Sequence, residues 1–210
     1  MKSVFPHRHL PFVALAGMFL AGCLFKPVTD STRHFVLAPI PADDASAAST
    51  RHLTVGIRPV RMPSQLLEDS VSVRNGTNEI EYLHNALWAD RLDHCFERAL
   101  AANLSRLLSS DGIYLDDWGR DRVMARVLVN VQQFEVDSHG KGTLIAQWQI
   151  TASGKDLPLK SGLARLARTG ATPGGKPEII ATTLSDLAAD FSRQLAQEIN
   201  ESAQKLALAD

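Results

Sequence analysis

Two stretches of the chain repeat apolar residues every three or four positions, at about residues 86–109 and 178–206. This spacing places the apolar side chains on one face of an α-helix, so the pattern predicts two long amphipathic helices. The first apolar stripe consists of Trp88, Leu92, Phe96, Leu100, Leu104 and Leu107, and the second of Ile180, Leu184, Leu187, Phe191, Leu195 and Ile199. Each stripe has to be buried, so the rest of the chain must supply a surface for the helices to cover.

Other segments alternate apolar and polar residues at period two, which is typical of half-buried β-strands. The longest run spans residues 122–136, and its parity changes near Gln132 and Gln133, which predicts a β-bulge. Further strands are predicted at residues 35–37, 53–60, 144–150 and 159–168. The strand at 53–60 is predicted to bend at Pro59, because proline is tolerated at edges and bulges but not in sheet centres.

A hairpin is predicted where Asn75-Gly76-Thr77 lies between alternating segments at residues 71–73 and 80–82. Asn-Gly between two such segments is a strong signal for a tight β-turn. Two amphipathic helices and several strands are most simply combined as an α/β (α+β) two-layer sandwich. In that architecture two long helices cover a mostly antiparallel sheet.

The first 22 residues have the parts of an export signal. Lys2 and Arg8 form a basic start, an apolar run follows, and Leu20-Ala21-Gly22-Cys23 matches the lipobox of bacterial lipoproteins. The apolar run of about 13 residues is shorter than the roughly 20 residues that span a bilayer. The pattern therefore predicts cleavage between Gly22 and Cys23, with covalent diacylglycerol and an N-acyl chain such as palmitate on Cys23. No other cofactor is expected.

The signal divides the chain into a signal peptide (1–22), a lipidated tether (23–33) and a single domain (34–210). The ten residues 24–33 extend to at most about 35 Å, which keeps the domain close to the membrane. Leu24 stands where Asp retains lipoproteins in the inner membrane in enterobacterial sorting. The periplasmic face of the outer membrane is therefore favoured over the inner membrane.

The charge of the mature chain excludes one class of partner. Loss of Lys2 and Arg8 leaves 20 of the 22 basic residues against 23 acidic ones, a formal charge of −3. A nucleic-acid-binding protein shows a basic excess, so no nucleic-acid partner is expected. No second apolar stretch is long enough to span a bilayer.

Few residues of the sequence suggest catalysis or metal binding. Cys95 is the only cysteine besides Cys23 and lies on an apolar helix, so we interpret it as a small buried hydrophobe rather than a nucleophile. Asp90 and His94 could form half of a metal site, but no further ligands follow at a recognisable spacing, and a solvated ion pair is favoured. The sequence thus predicts no catalytic residues and no metal site. Trp118, flanked by polar residues, is predicted to lie at the surface.

Four segments behind the lipobox resemble, in order, the landmarks of one family. They are Phe35-Val36-Leu37-Ala38-Pro39, then Val55-Gly56-Ile57-Arg58-Pro59-Val60-Arg61-Met62-Pro63, then Val71-Ser72-Val73-Arg74 with Asn78-Glu79-Ile80, and finally Leu87-Trp88-Ala89-Asp90-Arg91-Leu92. The family is that of the ABC-type transport auxiliary lipoproteins, the paraquat-inducible protein C group, and the resemblance covers nearly the whole mature chain. The chain departs from the family in opening with Phe35 instead of Tyr, and in having Glu68-Asp69-Ser70 where Arg-Pro-Gln is common.

The resemblance implies a non-enzymatic lipoprotein that serves intermembrane lipid transport. It implies an MCE-domain protein as partner, a homo-oligomeric ring that meets the outer end of the MCE tunnel, and phospholipid as a candidate ligand. The main alternative is a lipoprotein that activates a cell-envelope enzyme or assists assembly of an outer-membrane complex. Genomic neighbours would discriminate between the two. A third option is a hydrolase, which would need an acid–His–nucleophile cluster that the sequence does not show.

Contacts with a partner or a second copy are expected at strand edges, at the hairpin around Asn75-Gly76 and at polar loops near Trp118. The candidate contact residues are Pro63, Arg74 and Trp118. For Pro63 and Arg74, stabilisation of the hairpin is an interpretation that stays open beside partner contact.

Overall fold

The computed structural model describes residues 31–42, 53–115, 123–152, 158–170 and 176–207. These residues form the strands β1 (Arg33–Phe35), β2 (Val55–Ile57), β3 (Ser70–Asn75), β4 (Glu79–Trp88), β5 (Ile113–Leu115), β6 (Ala125–Val136), β7 (Lys141–Ala152) and β8 (Pro158–Thr169). The helices are α1 (Leu92–Leu107) and α2 (Pro177–Ala207), and a short 3₁₀ turn spans Ser64–Leu66. Neither α1 nor α2 is long and apolar enough to cross a membrane.

The strands of the described residues form two sheets. One has the order β1-β4-β3, and the other has the order β5-β2-β6-β7-β8. The pairs β3–β4, β6–β7 and β7–β8 are antiparallel, whereas β1–β4, β2–β5 and β2–β6 are parallel. Antiparallel neighbours can be joined by short turns, but parallel neighbours need longer connections. The parallel pairs accordingly join segments that are far apart in the chain.

Two local features predicted from the sequence are confirmed. The hairpin joins β3 and β4, with Asn75 opposite Glu79 and Gly76 at φ 69°, a backbone conformation that glycine adopts without strain. The register of β6 against β7 shifts between Val131 and Gln133, which is the β-bulge expected there. The change of parity along β6 therefore reports a real irregularity of the strand.

The core lies between the helices and the five-stranded sheet, where three aromatic rings meet. The Phe96 ring of α1 packs edge-on against Phe134 of β6, with 5.2 Å between centroids, and lies 6.0 Å from Phe191 of α2. All three side chains are fully buried. The apolar stripes of both helices thus face the sheet, as their spacing predicts.

The first helix begins later than its periodicity predicts. Ala86 and Trp88 belong to the end of β4, where they lie opposite Arg33 and Phe35 of β1. Trp88 is buried in the core, as expected, but from a strand. Its spacing from Leu92 fits a helix, yet pairing with β1 and the bond from Trp88 N to Asp69 O at 2.7 Å hold this segment extended.

The strand predicted at 53–60 is shorter and more central than expected. β2 lies between β5 and β6 and ends before Pro59, and pairing with β6 resumes at Arg61, which lies opposite Asn130. β5 has no counterpart in the sequence prediction, because three residues are too few to show a period. The α+β fold class is confirmed, with the strands divided between two sheets instead of one.

Candidate functional site

The long strands β6, β7 and β8 direct alternate side chains to two faces of the five-stranded sheet. One face lies against the helices and holds buried residues such as Val129 and Trp148. The opposite face, called the outer face below, is formed by Leu128, Asn130, Gln147, Gln149, Ser161, Leu163 and Arg165. These side chains are exposed or half-buried, so this part of the outer face is open among the described residues.

A depression of about 960 Å³ lies on the outer face. Its lining includes Arg58, Arg61, Leu128, Asn130, Gln147, Gln149, Ser161 and Leu163. The segment carrying Arg58 and Arg61 runs along β6, since Arg58 N donates to Val127 O at 2.9 Å and Arg61 N donates to Val129 O at 3.1 Å. The rim of the depression is therefore fixed by backbone hydrogen bonds to the sheet.

These three strands carry an excess of basic residues. β6, β7 and β8 together contain one acidic residue, Glu135, against the basic residues Arg126, Lys141, Lys160, Arg165 and Arg168. Glu135 is paired with Arg74. Arg61 adds a further exposed guanidinium at the rim of the depression. Lys160 and Arg168 lie on the helix side, whereas Arg126, Lys141 and Arg165 share the parity of the outer face. The outer face is thus both basic and partly apolar.

Arg74, a candidate contact residue, ties the β3–β4 hairpin to β6. Its guanidinium makes two hydrogen bonds to the buried carboxylate of Glu135, through Nε and through a terminal nitrogen at 2.8 Å, and a third to Thr77 O at 3.1 Å. The hydrogen bond to Glu135 raises the pKa of Arg74. The geometry supports the hairpin-stabilising interpretation, and a contact with a partner stays a prediction.

Pro63, the second candidate, precedes the 3₁₀ turn at Ser64–Leu66 and is half-buried. Its carbonyl oxygen accepts a hydrogen bond from Leu66 N at 3.0 Å. Pro63 and Arg74 lie in separate elements, and no contact between them is described. Trp118, Gly22 and Cys23 lie outside the described residues, so the predictions made for them stay predictions.

β8 is an edge strand of twelve residues that pairs, among the described strands, with β7 alone. On its helix side Lys160 forms ion pairs with Glu198 and Glu201, and Arg168 pairs with Asp190 at 2.7 Å. The hydrogen bond from Arg168 lowers the pKa of Asp190. β8 is therefore fastened to α2 by its charged side chains while its outer edge stays unpaired in the described structure.

The residues considered for chemistry are engaged with one another. Asp90 accepts a hydrogen bond from Arg98 at 2.7 Å and lies 3.4 Å from His94 Nδ1, and the bond from Arg98 lowers the pKa of Asp90 to about 2. Cys95 is buried, and burial raises the pKa of its thiol. Among the described residues, no three His, Cys, Asp or Glu side chains converge to hold a metal ion.

The outer-face residues Arg61, Leu128 and Leu163 were not predicted as functional. Their sequence signal is weak, because an apolar residue at a polar position of an alternating strand is common. Arg61 lies beside Asn130 through a parallel bridge between segments far apart in the chain. Only the tertiary structure brings these three residues to one depression.

Comparison with known families and structures identifies relatives. Residues 35–196 match the family described as "ABC-type transport auxiliary lipoprotein component". No curated protein matches the chain at a significant level. The family match begins at the last residue of β1 and includes the other strands of both sheets, α1 and most of α2.

Solved structures share the fold. A crystal structure of an uncharacterized protein has 20% identity and a TM-score of 0.65, covering 80% of this chain and 98% of its own. A protein from Xanthomonas campestris of the DUF330 family has 13% identity and a TM-score of 0.67, covering 83% of this chain and 97% of its own. A PelC dodecamer from Paraburkholderia phytofirmans is more distant, with 11% identity and a TM-score of 0.39, covering 70% and 91%. At that distance it says nothing about the assembly of this chain.

Proposed function

Because the chain belongs to the family of ABC-type transport auxiliary lipoprotein components, we propose that it is a non-catalytic accessory of a lipid-transport system built on MCE-domain proteins. Lipid on Cys23 anchors it to the periplasmic face of the outer membrane. The domain assembles as a homo-oligomeric ring and docks on the outer end of an MCE tunnel. The short tether supports this role, because about 35 Å of extended chain keeps the domain at the membrane where a tunnel ends.

The observation that carries the proposal is the long edge of β8, which pairs with no other described strand. Soluble proteins usually cover or blunt such an edge, since its free N–H and C=O groups pair readily with another chain. Gly170 N donates to Gly140 O at 3.0 Å, and antiparallel bonding alternates along a strand. The backbone N–H groups of odd-numbered residues such as Ala167 therefore point away from β7 and can pair with a second copy.

A repeated contact of this kind is head-to-tail when β8 of one copy meets a different surface of the next. Such contacts generate closed rings when the rotation between copies closes, and open filaments when it does not. A ring presents one end to the membrane and the other to the periplasm. That geometry suits a component that receives the end of a tunnel.

The proposal is tested by making the anchored chain in its host envelope and purifying it in mild detergent. We expect a defined oligomer by light scattering and co-purification of an MCE-domain protein. Ala167→Pro removes one outward N–H at the edge, where proline is tolerated, and is expected to dissociate the oligomer. Ala167→Ser keeps the N–H and should leave the oligomer intact. A monomeric wild-type chain without an MCE partner would overturn the proposal.

A further inference from the structure

We propose that the depression on the outer face binds the headgroup and glycerol region of an anionic phospholipid. Arg58 and Arg61 contact the phosphate, and Leu128 and Leu163 contact the apolar part of the lipid. The inference rests on the proposed role in lipid transport and names where this chain touches its cargo. It assigns the outer face to lipid and leaves the β8 edge to the oligomer.

Arg61 at the depression is differently placed from the basic side chains on the helix side. Lys160 and Arg168 are both paired with carboxylates of α2. Arg61, at the rim of the depression, makes no side-chain hydrogen bond or ion pair to other described residues, and neither does Arg165 farther along the outer face. A guanidinium can bind two phosphate oxygens at once, which makes arginine well suited to a phosphate group. Charge complementarity thus favours an anionic ligand.

Exposed apolar side chains gather on the same face. Of the five large hydrophobic residues that are exposed in the described structure, Leu128 at 40% and Leu163 at 36% line the depression, and Met124 at 47% precedes β6 with the same parity. Clusters of exposed apolar residues mark sites for ligands, membranes or proteins. Beside the arginine side chains, they suit a molecule with a phosphate at one end and hydrocarbon at the other.

The size of the depression agrees with such a ligand. Small-molecule sites commonly enclose about 300–1,000 Å³, and the depression has a volume of about 960 Å³. Asn130, Gln147, Gln149 and Ser161 line it with neutral hydrogen-bonding groups. These can bind the glycerol and ester oxygens without opposing the negative charge.

Binding is measured by calorimetry on the whole mature chain carrying Cys23→Ser, which removes the lipid attachment and retains the domain and tether. The probe is dihexanoyl phosphatidylglycerol below its micellar concentration. We expect saturable binding that weakens about tenfold or more in Arg58→Gln/Arg61→Gln. Arg168→Gln, the same change on the helix side, should leave the affinity unchanged. Leu163→Ser should weaken phosphatidylglycerol binding without changing the affinity for inorganic phosphate.

Several outcomes would overturn the inference. Inorganic phosphate or dihexanoyl phosphatidylcholine binding as tightly as phosphatidylglycerol excludes an anionic-lipid site. An unchanged affinity in the arginine double variant would mean that the lipid binds at another part of the protein. If the wild type binds no lipid and Arg61→Glu dissociates the oligomer, the occupant of the face is a second copy of the chain.

The lipid site and the ring can be tested independently of each other. Ala167→Pro is expected to lose the oligomer while retaining phosphatidylglycerol binding. The arginine double variant is expected to keep the oligomer and the MCE partner while binding phosphatidylglycerol more weakly. Loss of lipid binding in the wild type with an intact ring and partner would reject the further inference and leave the proposed function standing.

Discussion

The two faces of the five-stranded sheet are built from the same three strands, β6, β7 and β8, and they differ in what lies against them. On the helix side Val127, Val129 and Trp148 are buried beneath α1 and α2. On the outer face Leu128 and Leu163 remain exposed. Adjacent residues of one strand therefore have opposite environments.

The charged residues show the same difference. On the helix side of β8, Lys160 and Arg168 are balanced by acidic side chains of α2. On the outer face, Glu135 is the one acidic residue of the three strands, and its carboxylate accepts hydrogen bonds from Arg74 of the hairpin. The helix side therefore holds the contacts that stabilise the fold, and the outer face holds side chains that can bind a ligand.

The largest difference between the faces should appear in the core of β6. Phe134→Ala removes a fully buried ring that packs on Phe96, and it should lower the free energy of unfolding by about 3–5 kcal/mol. Leu128→Ala on the outer face of the same strand should cost about 0.5 kcal/mol or less. Urea unfolding at neutral pH measures both, and equal losses would contradict the assignment of the faces.

A second contrast lies at Gly162. A Cβ at this position would lie 2.5 Å from Trp148 Cζ2, so the indole ring covers the glycine on the helix side. Gly162→Ala should therefore lower the free energy of unfolding by about 1–3 kcal/mol and alter the near-ultraviolet circular dichroism of tryptophan. Ser161→Ala, one residue away on the outer face, is the control and should change stability by about 0.5 kcal/mol at most. Equal stability of both variants would mean that the indole does not lie over β8.

The outer face is covered at one end, where Arg74 meets Glu135. Arg74→Met leaves the buried carboxylate without its main donor and should lower the free energy of unfolding by about 1–2 kcal/mol. A double-mutant cycle with Glu135→Gln should show coupling, because the two side chains share their hydrogen bonds. Additive losses would argue against a direct pair. If Arg74→Met is stable but loses a partner, the contact interpretation is favoured.

The smallest effect concerns the fastening of β8 to α2. Arg168→Gln should lower the free energy of unfolding by about 0.2–1 kcal/mol at neutral pH, because the pair with Asp190 is partly exposed. Arg168 lowers the pKa of Asp190 in the folded chain, so the pair stabilises above the ordinary aspartate pKa and this contribution disappears as the carboxylate takes up a proton. The gap between wild type and variant should close as pH falls below about 4. A gap that persists at about pH 2 would point to lost packing of the arginine chain.

Local features of the sequence predicted much of the fold. Asn75-Gly76 specifies its hairpin through the positive φ that glycine accepts, and the parity change at Gln132 and Gln133 marks the bulge. The apolar stripe of α2 keeps helical spacing over so many residues that it fits a helix and not a strand. Each of these signals lies within a few residues, so no distant partner is needed to interpret it.

Features that depend on distant pairing were missed or misplaced. Ala86 and Trp88 fit a helical stripe as well as a strand, and pairing with β1, far earlier in the chain, decides for the strand. β5 is a strand only because it lies beside β2. The depression escapes prediction for the same reason, since it joins residues near 60, 128, 148 and 162.

The sequence by itself determined the lipobox prediction at Cys23, the family, the two amphipathic helices and the alternation of the long strands. These features depend on residue types at short spacings, so they can be identified without knowing how the chain folds. The tertiary structure decided which strands pair, which face the helices cover and which basic side chains the acids of α2 engage. Those outcomes arise from contacts between segments far apart in the chain, whose free energies of packing and ion pairing exist only once the segments meet.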